Sequence, residues 1–169
     1  MLKAQLHALA VALTLAACGC SSPTSATVTS VPTGTTNWLV TQRFISVSGP
    51  DNCWVREQRA RWTGAVFPEL PMIVNRTGST IAVTGDFFQV NYAGTVNGNA
   101  LSTTGVAPLD AGAGRCQDGT SFPQMAGISR VSGTFSEGQT LSASEVNTYP
   151  LTSGGTVTYT WDWQATRRN

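Results

Sequence analysis

The side chains of this 169-residue chain equipped for chemistry are four cysteines, nine acidic residues, three tyrosines and five tryptophans. Its single histidine, His7, and single lysine, Lys3, both stand ahead of Cys18. With that leader removed, no imidazole and no side-chain amine remains. A Ser-His-Asp or Cys-His pair, a Schiff-base lysine and an imidazole metal site are then excluded. Carboxylate pairs, tyrosine, or an activated serine or cysteine are left. Glycoside hydrolysis needs two carboxylates about 5–9.5 Å apart across a cleft, and no spacing among Glu57, Glu69 and Asp86 supports one. No catalytic residue is assigned, so the expectation is a protein that is not an enzyme and needs no cofactor.

Cys53 and Cys116 lie within the regularly patterned part of the chain. An exported protein meets an oxidising compartment, which predicts that these two form a disulfide. Closing a loop of about 64 residues stabilises a fold by roughly 4 kcal/mol in the chain-entropy account. Cys20 is left over, and its pairing with either stays open because connectivity does not follow from spacing. Asp110 to Gly119, DAGAGRCQDG, sets two aspartates in a glycine-rich loop. The alternating oxygen ligands of a calcium loop are missing, so the segment reads as a surface loop stapled by Cys116, with no metal. Gly112-x-Gly114 lacks the third glycine and the strand-to-helix setting of a dinucleotide site.

Two further groups are candidate ligand contacts. Cys53 to Thr63, CWVREQRARWT, places Trp54, Arg56, Gln58, Ala60 and Trp62 on one side if it is a strand. Inward tryptophans would take Arg56 with them, where it must be paired or receive an anionic group of a ligand. A structural salt bridge or a partly exposed edge strand is the plainer account of Arg56. Tyr159, Trp161 and Trp163 share one face of a second strand and line either an apolar pocket or an ordinary core.

The elements that must position these residues begin after an address. Leu6 to Ala17 is a 12-residue apolar run, broken only by His7 and Thr14 and preceded by Lys3. It is too short for a bilayer core about 30 Å thick and fits a secretory signal. It ends Leu15-Ala16-Ala17-Cys18. That ending resembles the lipobox of bacterial lipoproteins. The resemblance implies cleavage before Cys18, a diacylglyceryl group on its sulfur and an envelope location. Gly19, in place of aspartate, fits sorting to the outer membrane in a cell with two membranes. Ser21 to Thr36 has 12 Ser, Thr or Pro in 16 residues. This composition makes residues 18–36 a lipidated cysteine and tether, and Gly19 to Thr36 reach about 25 Å as a flexible coil.

Residues 37–169 are one domain's worth of chain. Val157, Tyr159, Trp161 and Trp163 alternate with Thr156, Thr158, Thr160, Asp162 and Gln164, the pattern of a half-buried strand. Asn97-Gly98, Ser136-Glu137-Gly138 and Gly154-Gly155 mark hairpin turns. Further strands are expected at Thr41–Val47, Cys53–Thr63, Met72–Asn75 and Thr80–Thr84, with no helix after Ala17. Eight or nine short strands joined in sequence predict an all-β, antiparallel up-and-down barrel, with a β-sandwich as the alternative. The spacing resembles that of lipocalin-like barrels, though their glycine-x-tryptophan opening is not cleanly present.

Charged residues make up 11% of the chain and the net charge is +1. Nothing here forms the basic patch of a nucleic-acid binder. The expected role is a lipid-anchored, non-enzymatic binding or structural module that meets the membrane through its anchor. Its partner would be an envelope component. The alternative is a carrier of a small apolar or amphipathic ligand inside the barrel.

Overall fold

A computed structural model describes residues 31–109 and 114–168. Cys18, Cys20, the signal and most of the tether lie outside the described residues. Among the described residues, eight strands and one helix follow one another. They are β1 (Gly34–Ser48), α1 (Cys53–Trp62), β2 (Val66–Thr77), β3 (Thr80–Thr84) and β4 (Tyr92–Asn97), then β5 (Ala100–Ala107), β6 (Gly127–Ser136), β7 (Thr140–Pro150) and β8 (Thr156–Arg168). Each strand pairs antiparallel with its sequence neighbours, and β1 pairs with β8 to close an up-and-down barrel. The β-sandwich alternative is set aside. β1 starts three residues ahead of the expected boundary at Asn37, and buried Val31 accepts a hydrogen bond from Arg76.

Successive connections alternate between the two ends. One end carries tight turns, where Gly98 (φ 60°) and the Glu137-Gly138 pair (φ 52° and 64°) adopt the left-handed conformations that match strand twist. The two-residue loop of the first is Gly98-Asn99, one position later than the Asn97-Gly98 signal suggests, because Asn97 pairs with Ala100. The other end, the mouth, carries the longer links: residues 49–65 with α1, then 85–91, 108–126 and 151–155.

Alternation puts one row of each strand inside. At the tight-turn end Trp38 meets Phe135 at 5.6 Å, with Val40, Val74, Leu141 and Ala165 buried in the same half of the barrel. The predicted inward row of β8 is buried, Val157, Trp161 and Trp163 completely. With Trp38, the two tryptophans take up much of an eight-stranded interior, which is just wide enough for side chains.

The strand expected at Cys53–Thr63 is a helix. Asn52 caps it, its side-chain oxygen accepting the Val55 N–H at 2.9 Å. Arg59 and Arg61 sit in the last turn, where cations oppose the macrodipole. The buried positions Val55 and Gln58, with Trp62 on the same side, follow helical spacing rather than alternation. Trp62 fixes that face by donating its indole N–H to Gln58 Oε1 at 2.9 Å.

Candidate functional site

Two arrangements in the upper half of the barrel set polar chemistry among aromatic side chains. The deeper one centres on Glu145, an inward residue of β7 with no exposed surface. Its Oε2 accepts from Gln42 Nε2 at 2.8 Å and from Trp163 Nε1 at 2.9 Å. Its Oε1 accepts from the Tyr92 hydroxyl at 2.8 Å and from Ser129 Oγ at 3.0 Å. The charge of an unpaired buried carboxylate is costly, and four donors from four strands compensate it here. Asp86, in the link after β3, joins through Tyr92: the hydroxyl lies 2.8 Å from Asp86 Oδ2, and Asp86 Oδ1 accepts the Val90 N–H at 2.7 Å. Burial first, and then the negative charge of Glu145, push the Asp86 carboxyl from 3.8 up to about 7. Burial, then Glu145 and Asp86, raise the Tyr92 phenol well above its usual range.

Above this cluster, at the mouth, lies a cavity of about 490 Å³. That volume falls in the range of about 300–1,000 Å³ found for small-molecule sites. Its walls are rings: Trp54 and Trp62 from α1, Phe87 and Phe88 from the link after β3, Tyr149 and Tyr159 from the ends of β7 and β8. Asn147 stands in the wall one inward step above Glu145 and directly across the ladder from Ser129. Trp161, fully buried, packs under Trp62 at 5.6 Å and Phe88 at 5.3 Å. Further down, Gln42 and Trp163 are fully buried. Arg61 and Arg115 also line the cavity, and no described lining residue is acidic. The Arg61 guanidinium lies 4.7 Å from the centre of the Trp62 ring.

Three lining side chains hold buried polar atoms without a protein partner: Trp54 Nε1, Gln124 Nε2, and both Nδ2 and Oδ1 of Asn147. Asn147 is only 1% exposed. Buried polar groups are nearly always paired, so this concentration at one cavity marks a place for a bound molecule, water or larger.

Comparison with family models, with curated proteins and with solved structures finds no match to this chain. Geometry alone carries the reading.

Of the residues singled out from sequence, Tyr159 is in the cavity wall. Trp161 and Trp163 are core, the first beneath the cavity and the second a donor to Glu145. Arg56 does not enter the barrel. On a helix its position faces outward, and it pairs with exposed Asp51 at 2.8 Å. Its inward placement depended on strand alternation that α1 does not have. Cys53 and Cys116 form the expected disulfide, which ties the start of α1 to the 108–126 link. Asp118 lies beside those sulfurs, but disulfide sulfurs are not thiolate ligands, and no metal site results. Asp110 falls outside the described residues. Of the three carboxylates considered for hydrolysis, Glu57 accepts the Gln117 N–H at 3.1 Å, Glu69 is exposed, and Asp86 belongs to the buried cluster.

A second groove of about 650 Å³ runs along Leu70, Pro71 and Gly85 and reaches Asp86. Both Asp86 oxygens are already engaged by Val90 and Tyr92.

Proposed function

We propose that this chain is a lipid-anchored, non-enzymatic binding module of the bacterial cell envelope that takes up a small amphipathic molecule at the mouth of its barrel. The observation that carries the reading is Asn147, buried to 1% with neither polar side-chain atom partnered, in the wall of a cavity of about 490 Å³. A binding site expects such groups to be completed by a ligand. Catalysis gains no support from the same geometry. The described lining of the cavity has no carboxylate, and every oxygen of the buried pair Asp86 and Glu145 is already hydrogen-bonded within the protein.

The sequence reading puts a carried ligand inside the barrel, and packing favours the mouth over the middle. Trp163, Gln42 and Glu145 occupy the middle of the barrel, and Trp38 with Phe135 the tight-turn end. The lipid anchor rests on Leu15-Ala16-Ala17-Cys18, and two or three acyl chains hold a protein to a membrane stably where one does not. The tether would let the mouth work just off that surface, in the outer membrane where there are two.

Native mass spectrometry on the full chain carrying Cys18→Ser, purified gently from its own cells, tests the binding reading. An extra mass that leaves on denaturation supports it. A bare polypeptide, together with unchanged tryptophan emission when cell extract of small molecules is added, overturns it. Detergent-phase partitioning tests the anchor: the unsubstituted chain enters the detergent phase and the Cys18→Ser chain does not. Equal partitioning would remove lipidation.

A further inference from the structure

We infer that the mouth cavity recognises a planar aromatic anion, a fused or substituted ring bearing a carboxylate. This rests on the reading of the mouth as a small-molecule site and names the chemistry it selects. The buried, unpartnered atoms are unbalanced. Trp54 Nε1, Gln124 Nε2 and Asn147 Nδ2 are three N–H donors, against the single acceptor Asn147 Oδ1. A molecule that completes them must arrive rich in acceptors, since a buried donor left without one keeps its full desolvation penalty.

Charge points the same way. Arg61 and Arg115 line the cavity and no described lining residue is acidic. A guanidinium offers paired donors matched to a carboxylate. Arg61 is already placed, held over the Trp62 face at 4.7 Å. A cationic ligand would meet two guanidinium groups with no acidic side chain among the described lining residues to offset them.

The walls decide the body of the molecule. Trp62 and Phe87 stand nearly perpendicular, at 77°, and Tyr149 and Tyr159 at 89°. Ring faces and edges turned this way receive a flat aromatic in the edge-to-face and offset contacts such rings prefer. An extended alkyl chain would need depth. The floor opposes it, because Trp161 is fully buried beneath the cavity, with Trp163 and Gln42 fully buried further down.

The test is isothermal titration calorimetry on the full chain carrying Cys18→Ser, with four probes: 2-naphthoate, naphthalene-2-carboxamide, 2-naphthylmethylammonium and laurate. The expected result is 2-naphthoate bound about tenfold or more tightly than the carboxamide, a difference of about 1.4 kcal/mol. The double substitution Arg61→Gln, Arg115→Gln then brings naphthoate down to the level of the carboxamide. Both arginines are exposed, so folding is not at stake. Asn147→Leu weakens both probes. Carboxamide or ammonium equal to naphthoate, or laurate tighter than naphthoate, overturns the aromatic-anion class. If Asn147→Leu still weakens those probes, the mouth reading stands without it. No binding by any probe also overturns the class, while the mouth reading is decided separately by the mass measurement on the purified chain.

Discussion

The Tyr92 hydroxyl lies 2.8 Å from Asp86 Oδ2 and 2.8 Å from Glu145 Oε1, and its one proton cannot serve both carboxylates. Ser129 does not relieve the shortage. Its hydroxyl lies 3.0 Å from Glu145 Oε1 and 3.1 Å from the Tyr92 oxygen, so its proton is also claimed by Glu145. The contacts close when Asp86 carries the missing proton. Asp86 then donates to Tyr92, Tyr92 donates to Glu145, and the charge rests where four donors converge. The raised Asp86 value of about 7 agrees with this count, having burial and the Glu145 charge as its two largest causes.

Stability should therefore depend on pH through Asp86, with a sign opposite to that of an ordinary surface carboxylate. Its folded value of about 7 lies above the unfolded 3.8, so the native state binds the proton more tightly between those limits. The stabilisation is fully present below about 3.8 and is lost as pH rises through about 7. At about 1.36 kcal/mol per pH unit this is on the order of 4 kcal/mol. Asp86→Asn keeps a donor for Tyr92 and an acceptor for Val90 without titrating. Urea midpoints from pH 4 to 9 should show the variant gaining on the unsubstituted chain up to about pH 7 and then running level. Parallel curves throughout would mean that Asp86 is not the proton carrier.

Glu145 itself should tolerate little. Glu145→Gln keeps the shape but turns one oxygen into a donor, which must face either Tyr92 and Ser129 or Gln42 and Trp163. Flipping Gln42 does not help, because its oxygen already accepts the Phe87 N–H at 2.6 Å. Facing Tyr92 and Ser129, the new N–H is met only if both hydroxyls turn their protons away, and the charge-assisted bonds to Glu145 become neutral ones, so the expected loss at pH 7 is about 2–4 kcal/mol, against about 1 kcal/mol for Ser129→Ala. Denaturant unfolding of the two variants side by side checks the ranking. A smaller loss for Glu145→Gln than for Ser129→Ala would contradict it.

Much of the barrel was legible in the chain, and the reason is local. Tyr159, Trp161 and Trp163 alternate with polar residues, and period two leaves them a single face to bury. Glycines at the turns signal positive φ wherever they fall. The helix was hidden because Trp54, Arg56, Gln58, Ala60 and Trp62 alternate as well as strand residues do, and its burial at Val55 and Gln58 is too short a run to declare a helical period. Asn52 followed by Arg59 and Arg61 was the signal that pointed the other way. The buried cluster was not legible as a unit: Gln42 and Glu145 are 103 positions apart and meet only through closure of the barrel. One clue was available. Glu145 shares its strand face with Leu141, Asn147 and Tyr149, and a charge on an inward row needs a buried partner.

Gly85 tests how the link carrying Asp86 is held. Its φ is 98°, in the region that disfavours side chains, and a Cβ there would collide with the Pro71 carbonyl oxygen and sit 3.1 Å from the Met72 Cα. Both neighbours are backbone of β2 and cannot swing aside. Gly85→Ala should cost at least about 1–3 kcal/mol. By displacing Asp86 from Tyr92 it should also flatten the pH dependence between about 4 and 7. Gly78, also at positive φ (59°) but with open space around it, provides the comparison. Gly78→Ala should cost less and leave the pH dependence intact. Equal losses at the two sites would show that φ alone, and not the contact with β2, sets the penalty.

The disulfide should matter twice, once for the chain and once for the mouth. Cys53 and Cys116 are 63 positions apart, and linking them restricts the unfolded chain. In the chain-entropy account a loop of this size is worth about 4 kcal/mol. The same bond fixes the first residue of α1 to the link that carries Arg115 and Gln124, while Trp54, Arg61 and Trp62 on α1 form the facing wall of the cavity. Replacing both cysteines with serine should therefore lower the denaturation midpoint and also weaken probe binding at the mouth, at temperatures where the barrel is still fully folded. Far-ultraviolet circular dichroism establishes the second condition before the titration is run. Binding unchanged in a folded but less stable variant would place the bond's contribution in the unfolded chain alone. Binding lost with the barrel intact would show that the staple also sets the width of the mouth.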